Sequence, residues 1–181
     1  SEDDLRRLVR THHKHGADLI KVMATGGFMT SGSAPWYAQF TTAQLALIVA
    51  EARRVDMPVA AHAHGTDGLR RAVAAGVTTI EHCSFVTETN ERRFDEQLAA
   101  MLAEQGIFVC PTVNVNAPYV AELTGIVVGE HLATMRDLGI RIIAGTDAGI
   151  DNTPHHQYAG GLEYLVKLGF RAADVITMAT T

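Results

Sequence analysis

The chain has 181 residues, 47% of them hydrophobic and 19% charged, and a formal net charge of −5. This fits one globular domain with a sizeable core. An acidic balance with no basic patch argues against nucleic acid or an anionic membrane surface as partner. No apolar run approaches membrane-spanning length, and the opening Ser1-Glu2-Asp3-Asp4 is not a signal peptide, so a cytoplasmic setting is expected.

In chain order, residues 1–15 read as a helix, capped by Ser1, striped by Leu5, Leu8 and Val9, and ended by Gly16. Strand 17–23 follows, then a long Gly- and Ser-rich loop over 25–40. Thr41 and Gln44 form a capping-box pattern, and Leu45, Ile48, Val49 and Ala52 make the buried stripe of the next helix. Strand 59–63 leads to a helix from about Asp67 to Gly76. Strand 77–81 leads to a helix starting near Asn90, with Phe94, Leu98, Met101 and Leu102 facing inward. Strand 107–110, a helix over 129–138, strand 140–145 and helices near 160–168 and 172–180 complete the pattern. Gly16, Gly76, Gly106 and Gly139 each stand between a helix and the strand after it, as C-cap glycines do. Cys83 and Cys110 lie in or just after strand-like runs and lack the paired spacing of a structural zinc site. They read as buried free thiols.

Apolar runs separated by helical patterns are the signature of buried parallel strands. Five β/α units are visible. A (β/α)8 barrel takes roughly 250 residues, so this chain is too short for eight units. Either the sheet is open and doubly wound, or the chain is part of a barrel. The runs end on Lys21, His62, His82 and Asp147. Ligands at four successive strand ends favour the barrel segment, because an open sheet gathers its site at one switch point.

His62-Ala63-His64 puts two imidazoles on one face of a strand, a common metal-ligand arrangement; a hydrogen-bonded structural pair is the alternative. Lys21 ends its strand within Leu19-Ile20 and Val22-Met23. As a buried amine with a lowered pKa it can take up carbon dioxide and become an anionic carbamate that bridges metals; the alternative is a surface lysine. Asp147 sits in the small-residue turn Gly145-Thr146-Asp147-Ala148-Gly149. It suits a metal ligand and proton acceptor, although taken alone a helix-capping aspartate is the commoner use. His82 alone could be a core histidine. Glu81 is expected on the opposite face, as a supporting carboxylate. His12, His13 and His15 read as surface groups at a helix end. His155-His156 follows Asp147 and either touches substrate or is an exposed loop pair. Trp36 and Tyr37 in the long loop, with Asn114 and Asn116, are candidate pocket liners.

In this order the segments Ile20-Lys21-Val22-Met23-Ala24-Thr25-Gly26-Gly27, Val59-Ala60-Ala61-His62-Ala63-His64-Gly65, Ile80-Glu81-His82, Pro111-Thr112 and Gly145-Thr146-Asp147-Ala148-Gly149 resemble the metal-dependent amidohydrolase superfamily. The nearest branch is the imidazolonepropionase-like group with zinc-dependent Xaa-Pro dipeptidases (prolidases) and related carboxypeptidases. The resemblance implies a TIM barrel with a binuclear zinc site. Lys21 matches the carboxylated bridging lysine, His62 and His82 match ligands of the fifth and sixth strands, and Asp147 matches the eighth-strand ligand and general base. His64 matches a substrate-binding position often filled by Tyr, and Tyr37 and His155 join it as substrate candidates. Residues 172–181 resemble the helix after the eighth strand. The family's first-strand His-x-His pair and its small β-domain have no counterpart here. Residues 1–181 are therefore expected to be the central and C-terminal part of a catalytic barrel, about its last five β/α units. The stretch from Val113 to Arg141 is short for the family.

The expected activity is hydrolysis of a C–N amide or peptide bond of a small substrate, such as a dipeptide or N-acyl amino acid, by metal-activated water. A metal-dependent deaminase of a nucleobase-like ring, or a non-catalytic barrel segment, are the alternatives. Assembly of identical copies is left open.

Overall fold

The structure, a computed structural model, describes residues 1–124 and 127–180. Thr181, the last residue of the final predicted helix, lies outside the described residues. The chain forms two compact units, Ser1–Phe108 and a second from Val109 onward.

The first unit runs α1 (Glu2–Lys14), β1 (Ile20–Met23), α2 (Thr42–Arg53), β2 (Val59–Gly65), α3 (Thr66–Ala75), β3 (Thr79–Val86) and α4 (Glu96–Glu104). The expected Ser1 cap and the expected Thr41–Gln44 box both form, and Ser1 completes a box of its own. Ser1 and Asp4 close the start of α1, and Thr41 and Gln44 exchange bonds of 3.2 and 2.8 Å at the start of α2. Each satisfies two orphan helix donors reciprocally. The predicted α2 stripe is buried in full (Leu45, Ile48, Val49 and Ala52). In α1, Val9 is buried and Leu8 stays exposed. The α1–α2 contact adds an ion pair: Arg10 Nε donates to Glu51 Oε1 at 2.7 Å, and the Glu51 side chain is only 6% exposed. The predicted junction glycines Gly16, Gly76 and Gly106 all adopt positive φ. At Gly76 this αL residue closes α3 with its amide on Ala72 and Val73 carbonyls.

The strands are parallel, in the order β1-β2-β3. β1 aligns Ile20 with Val59 and Met23 with His62; β2 aligns Ala60 with Thr79 and His62 with Glu81. β2 is buried along its whole length, as a central parallel strand should be. β1 alternates, with Ile20 and Val22 buried and Lys21 and Met23 exposed. Beneath β2 and β3 lies a core of Leu45, Leu69, Val73, Ile80, Phe85, Leu98 and Leu102. Each such side chain contributes about 1.5–3 kcal/mol when fully buried.

The second unit holds the rest of β4 (Phe108–Cys110), α5 (Ala117–Thr124), α6 (Leu132–Asp137), β5 (Arg141–Ile142), a 3-10 turn (His155–Gln157), α7 (Tyr158–Lys167) and α8 (Ala172–Thr180). The Ile143 amide donates to the Val109 carbonyl at 2.9 Å, and the Ala144 amide to the Met178 carbonyl at 2.9 Å. Arg136 lies over the Phe170 ring at 5.2 Å, a cation–π contact.

Some elements differ from the sequence-based expectation. β3 continues to Val86, well past residue 81. α4 starts at Glu96, with Asp95 capping it, rather than near Asn90. Phe94 precedes the helix and packs edge-on against Phe85, with centroids 5.0 Å apart. The strand expected over 140–145 is reduced to Arg141–Ile142, and the helix expected over 129–138 to Leu132–Asp137. Helix α5 was not foreseen.

Candidate metal centre

Three histidines of the first unit meet at the end of β2 and beside the middle of β3. One ligand-capable atom from each of His62, His64 and His82 lies within 4.8 Å of the others. The ring centroids are 4.7 Å apart for His62 and His64, 4.5 Å for His62 and His82, and 4.2 Å for His64 and His82, whose planes differ by only 25°.

His62 and His64 reach one face by simple strand alternation. His82 does not. The register pairs it with Ala63, on the opposite side of the pleat from His62. A left-handed φ of +71° at His82, followed by +53° at Cys83 and +52° at Phe85, redirects the backbone and turns the imidazole to the histidine face. Non-glycine residues rarely hold such angles. Glu81, expected on the other face, is the residue opposite His62 in register and shares its side. Its carboxylate accepts from Thr79 Oγ1 at 2.8 Å.

The end of β1 ties the cluster down. His62 Nε2 lies 3.0 Å from the Gly26 carbonyl oxygen. A carbonyl only accepts, so Nε2 carries the proton and the His62 lone pair is on Nδ1. The Thr25 hydroxyl donates to the same carbonyl at 2.8 Å and accepts the His64 amide at 3.0 Å. His64 Nδ1 lies 3.0 Å from Ser84 Oγ. Phe28 packs edge-on against the His64 ring at 4.7 Å. The loop that carries these contacts closes at its base. The amide of Gly26 donates to the Tyr37 carbonyl, and that of Gln39 to the Ala24 carbonyl. Gly26 is obligatory there, because a Cβ would run into the Ala34 backbone and Ser33 Oγ.

The surroundings keep the His64 and His82 rings neutral. Burial, then His82, His62 and Arg92, pushes the His64 pKa down to about 2. Burial, then His62 and Lys21, pushes His82 to about 3. Neutral imidazoles offer lone pairs, and three nitrogens at this spacing are a donor set suited to zinc or a similar divalent ion. Cys83 points into the core, where burial raises its thiol pKa to about 12.

The other expected site residues are placed as follows. Lys21 is exposed rather than buried. Its apolar neighbours Ile20 and Val22 occupy the other side of the strand. It lies on the same side of the sheet as His62, one alternation earlier, aligned with Ala60. Tyr37 is 59% exposed and stacks edge-on against Trp36. Asp147 and His155 belong to the second unit. Asp147 is exposed, with a left-handed φ of +53°. His155 is also exposed, and its Nε2 lies 3.5 Å from the Cβ position at Gly149 in the same turn. Asn114 fastens this turn through Nδ2 to the Thr146 carbonyl at 3.2 Å. The sequence-based reading missed Thr25, Gly26 and Ser84. A Gly-Gly pair directly after a strand that delivers Lys21 was the available signal for the first two.

The chain belongs to the amidohydrolase family, whose profile matches residues 1–181. It is similar to ochratoxinase of Aspergillus niger, 33% identical over 159 residues that cover 80% of this chain and 32% of that protein. Among solved structures it resembles a Xaa-Pro dipeptidase with bound methionine in the active site (TM-score 0.85, 29% identity, 99% of this chain and 46% of the other). It likewise resembles a prolidase from Bifidobacterium longum (TM-score 0.75, 30% identity, 99% and 47%). The prolidase-like branch expected from the motifs is thus the one its neighbours populate, and the parallel α/β architecture is that of a segment of their fold. The chain spans about a third of the length of the curated relatives it matches and under half of the solved ones. Among the described residues no helix is long and apolar enough to cross a membrane.

Proposed function

We propose that this chain forms part of a metal-dependent hydrolase that cleaves a C–N amide or peptide bond in a small substrate of the dipeptide or N-acyl amino acid type. The observation that carries the reading is the convergence of three imidazoles, His62, His64 and His82, within 4.8 Å. Family membership and the dipeptidase and ochratoxinase relatives support it.

In this reading His62 and His82 would hold zinc, with Lys21, once carboxylated, as a further anionic ligand. A divalent metal supplies Lewis acidity, polarising a carbonyl and acidifying water. His62 presents Nδ1, because the Gly26 carbonyl occupies Nε2–H. His64 stays neutral and offers a hydrogen bond to substrate, its ring held between Ser84 and Phe28. Asp147 accepts a proton from the attacking water and returns it to the leaving nitrogen. Tyr37 and His155 line the substrate's approach.

The test is metal content together with hydrolysis. Elemental analysis of the whole protein, before and after chelation, is paired with assays on prolyl dipeptides and N-acyl amino acids. Zinc uptake with hydrolysis that chelation abolishes and zinc restores is the expected result. Hydrolysis unaffected by complete metal removal would overturn the reading.

A further inference from the structure

Thr25 is fully buried, at 0% exposure, and every polar atom it carries is committed. Its amide donates to the His62 carbonyl at 3.3 Å, and its carbonyl accepts Gln39 Nε2 at 2.9 Å. Its hydroxyl has one proton, which goes to the Gly26 carbonyl. The hydroxyl's lone pair takes the His64 amide. The same Gly26 carbonyl receives His62 Nε2–H. One hydroxyl therefore fixes the backbone beneath one imidazole and the acceptor that sets the tautomer of another.

We infer that the Thr25 hydroxyl is a positioning group for the histidine cluster: through the Gly26 carbonyl it holds His62 in its Nε2–H tautomer, and through the His64 amide it locks the end of β2. The metal half of this inference rests on the reading given under Proposed function. The tautomer half does not.

The physical case is as follows. A neutral imidazole in water exchanges readily between its two tautomers, and the hydrogen bond at one nitrogen decides which one a protein holds. The Gly26 carbonyl is the group that decides it for His62. That carbonyl shares its peptide plane with the Gly27 amide, which donates to Ser33 Oγ at 2.9 Å, and its oxygen takes the Thr25 hydroxyl and His62 Nε2–H. Thr25 supplies the neighbouring donor and, through its methyl, a second restraint. Cγ2 lies so close to Gly68 at the start of α3 that no side chain fits between them. Shape and hydroxyl are thus two separable contributions. Groups that orient a metal-binding imidazole typically change metal affinity by about 10–100-fold when removed.

Three variants separate these contributions in the whole protein. Thr25→Val keeps the shape and removes the hydroxyl. Thr25→Ser keeps the hydroxyl and removes the methyl. Thr25→Cys differs from Ser only in exchanging oxygen for a weak sulfur donor, and it serves if the valine variant does not fold. The first readout is the His62 tautomer in metal-free, 15N-histidine-labelled protein at about pH 7.5, above the ordinary histidine range. Long-range proton–nitrogen spectra report it, and His62→Gln assigns the signal. The second readout is the zinc dissociation constant by competition with a chelator. The wild type and Thr25→Ser should show a single Nε2–H tautomer for His62, and Thr25→Val and Thr25→Cys a mixture. Zinc affinity should fall by about 10–100-fold in Val and Cys and stay near wild type in Ser.

A single Nε2–H tautomer retained in Val and Cys would overturn the inference. So would a loss confined to Ser, which would assign the effect to packing on Gly68. A wild type that takes up no zinc would fail the functional reading alone, because the tautomer comparison in metal-free protein still decides the role of Thr25.

Discussion

His64 and His82 lie face to face, with ring centroids 4.2 Å apart and planes within 25° of parallel. Two imidazoles so stacked cannot both carry charge without strong repulsion, and burial already disfavours the first proton on either. Their folded-state pKa values of about 2 and about 3 lie far below the 6.5 of an unfolded histidine. Between these values the unfolded chain binds more protons than the folded one. Stability contributed by the neutral pair is therefore full above about pH 6.5 and is lost progressively as pH falls below it. Urea titrations in the presence of chelator, at pH 7.5 and 5, should show the loss, and His64→Gln/His82→Gln should flatten it. An equal slope in the double variant would place the pH dependence elsewhere.

Zinc should stabilise the protein by mass action. At a free concentration a hundred times its dissociation constant the gain is about 2.7 kcal/mol. His82→Ala should abolish most of that gain, since it removes one of three converging donors. Thermal melts with and without zinc check both statements. A zinc-dependent shift unchanged in His82→Ala would exclude this histidine as a ligand.

Asp147→Asn should lose most of its turnover while retaining zinc, because the amide cannot accept the proton that the proposed reaction hands to this residue. Single-substrate kinetics with parallel metal analysis measure it. Turnover near that of the wild type would remove Asp147 from the mechanism.

Gly26→Ala forces a Cβ into the Ala34 backbone and Ser33 Oγ. Overpacking of this kind costs about 1–3 kcal/mol, and the loop must shift the carbonyl that faces His62. The variant should melt lower and bind zinc more weakly than the wild type. An unchanged melting temperature would show that the loop yields freely.

Arg10 and Glu51 join α1 to α2, and Arg10, by hydrogen bond and charge, holds the Glu51 carboxyl below its ordinary pKa. That contribution is present above the unfolded carboxylate pKa and fades as pH falls toward the lowered folded value. Arg10→Met should therefore destabilise the protein at pH 7 and differ less from the wild type at pH 3. A constant difference across that range would mean that charge plays no part.

Much of this arrangement is legible in the residues alone. His62 and His64 need only period-two alternation to share a face, and the capping boxes at Ser1 and Thr41 need only their spacing. Lys21 departs from its expected burial because its apolar neighbours in sequence are not its neighbours in space. In a strand they occupy the other side. His82 and Glu81 were each misplaced against the pleat for one reason. The left-handed backbone at residues 82, 83 and 85 leaves little trace in residue type, since Cys and Phe do not favour positive φ and the enrichment of His there is weak. Asn90 looked like a helix start, but it sits in a turn with φ of +64°, and Asp95 holds the true cap. Helix α5 does carry a start signal, Asn116 ahead of it and Pro118 in its first turn, but Asn116 reads equally as a pocket liner after the preceding strand.

The run of left-handed residues in β3 also sets what substitutions this strand can accept. Isoleucine, valine and threonine, the residues that favour strands elsewhere, are the ones that positive φ penalises most. Glycine and asparagine, usually poor in strands, suit the backbone at 83 and 85. A saturation library of β3 should thus penalise β-branched residues at these two positions relative to unbranched apolar ones, and not at Ile80, while burial at 83 and 85 still excludes polar replacements. The path by which related sequences drift through this strand is narrowed by backbone shape before any demand of chemistry is applied.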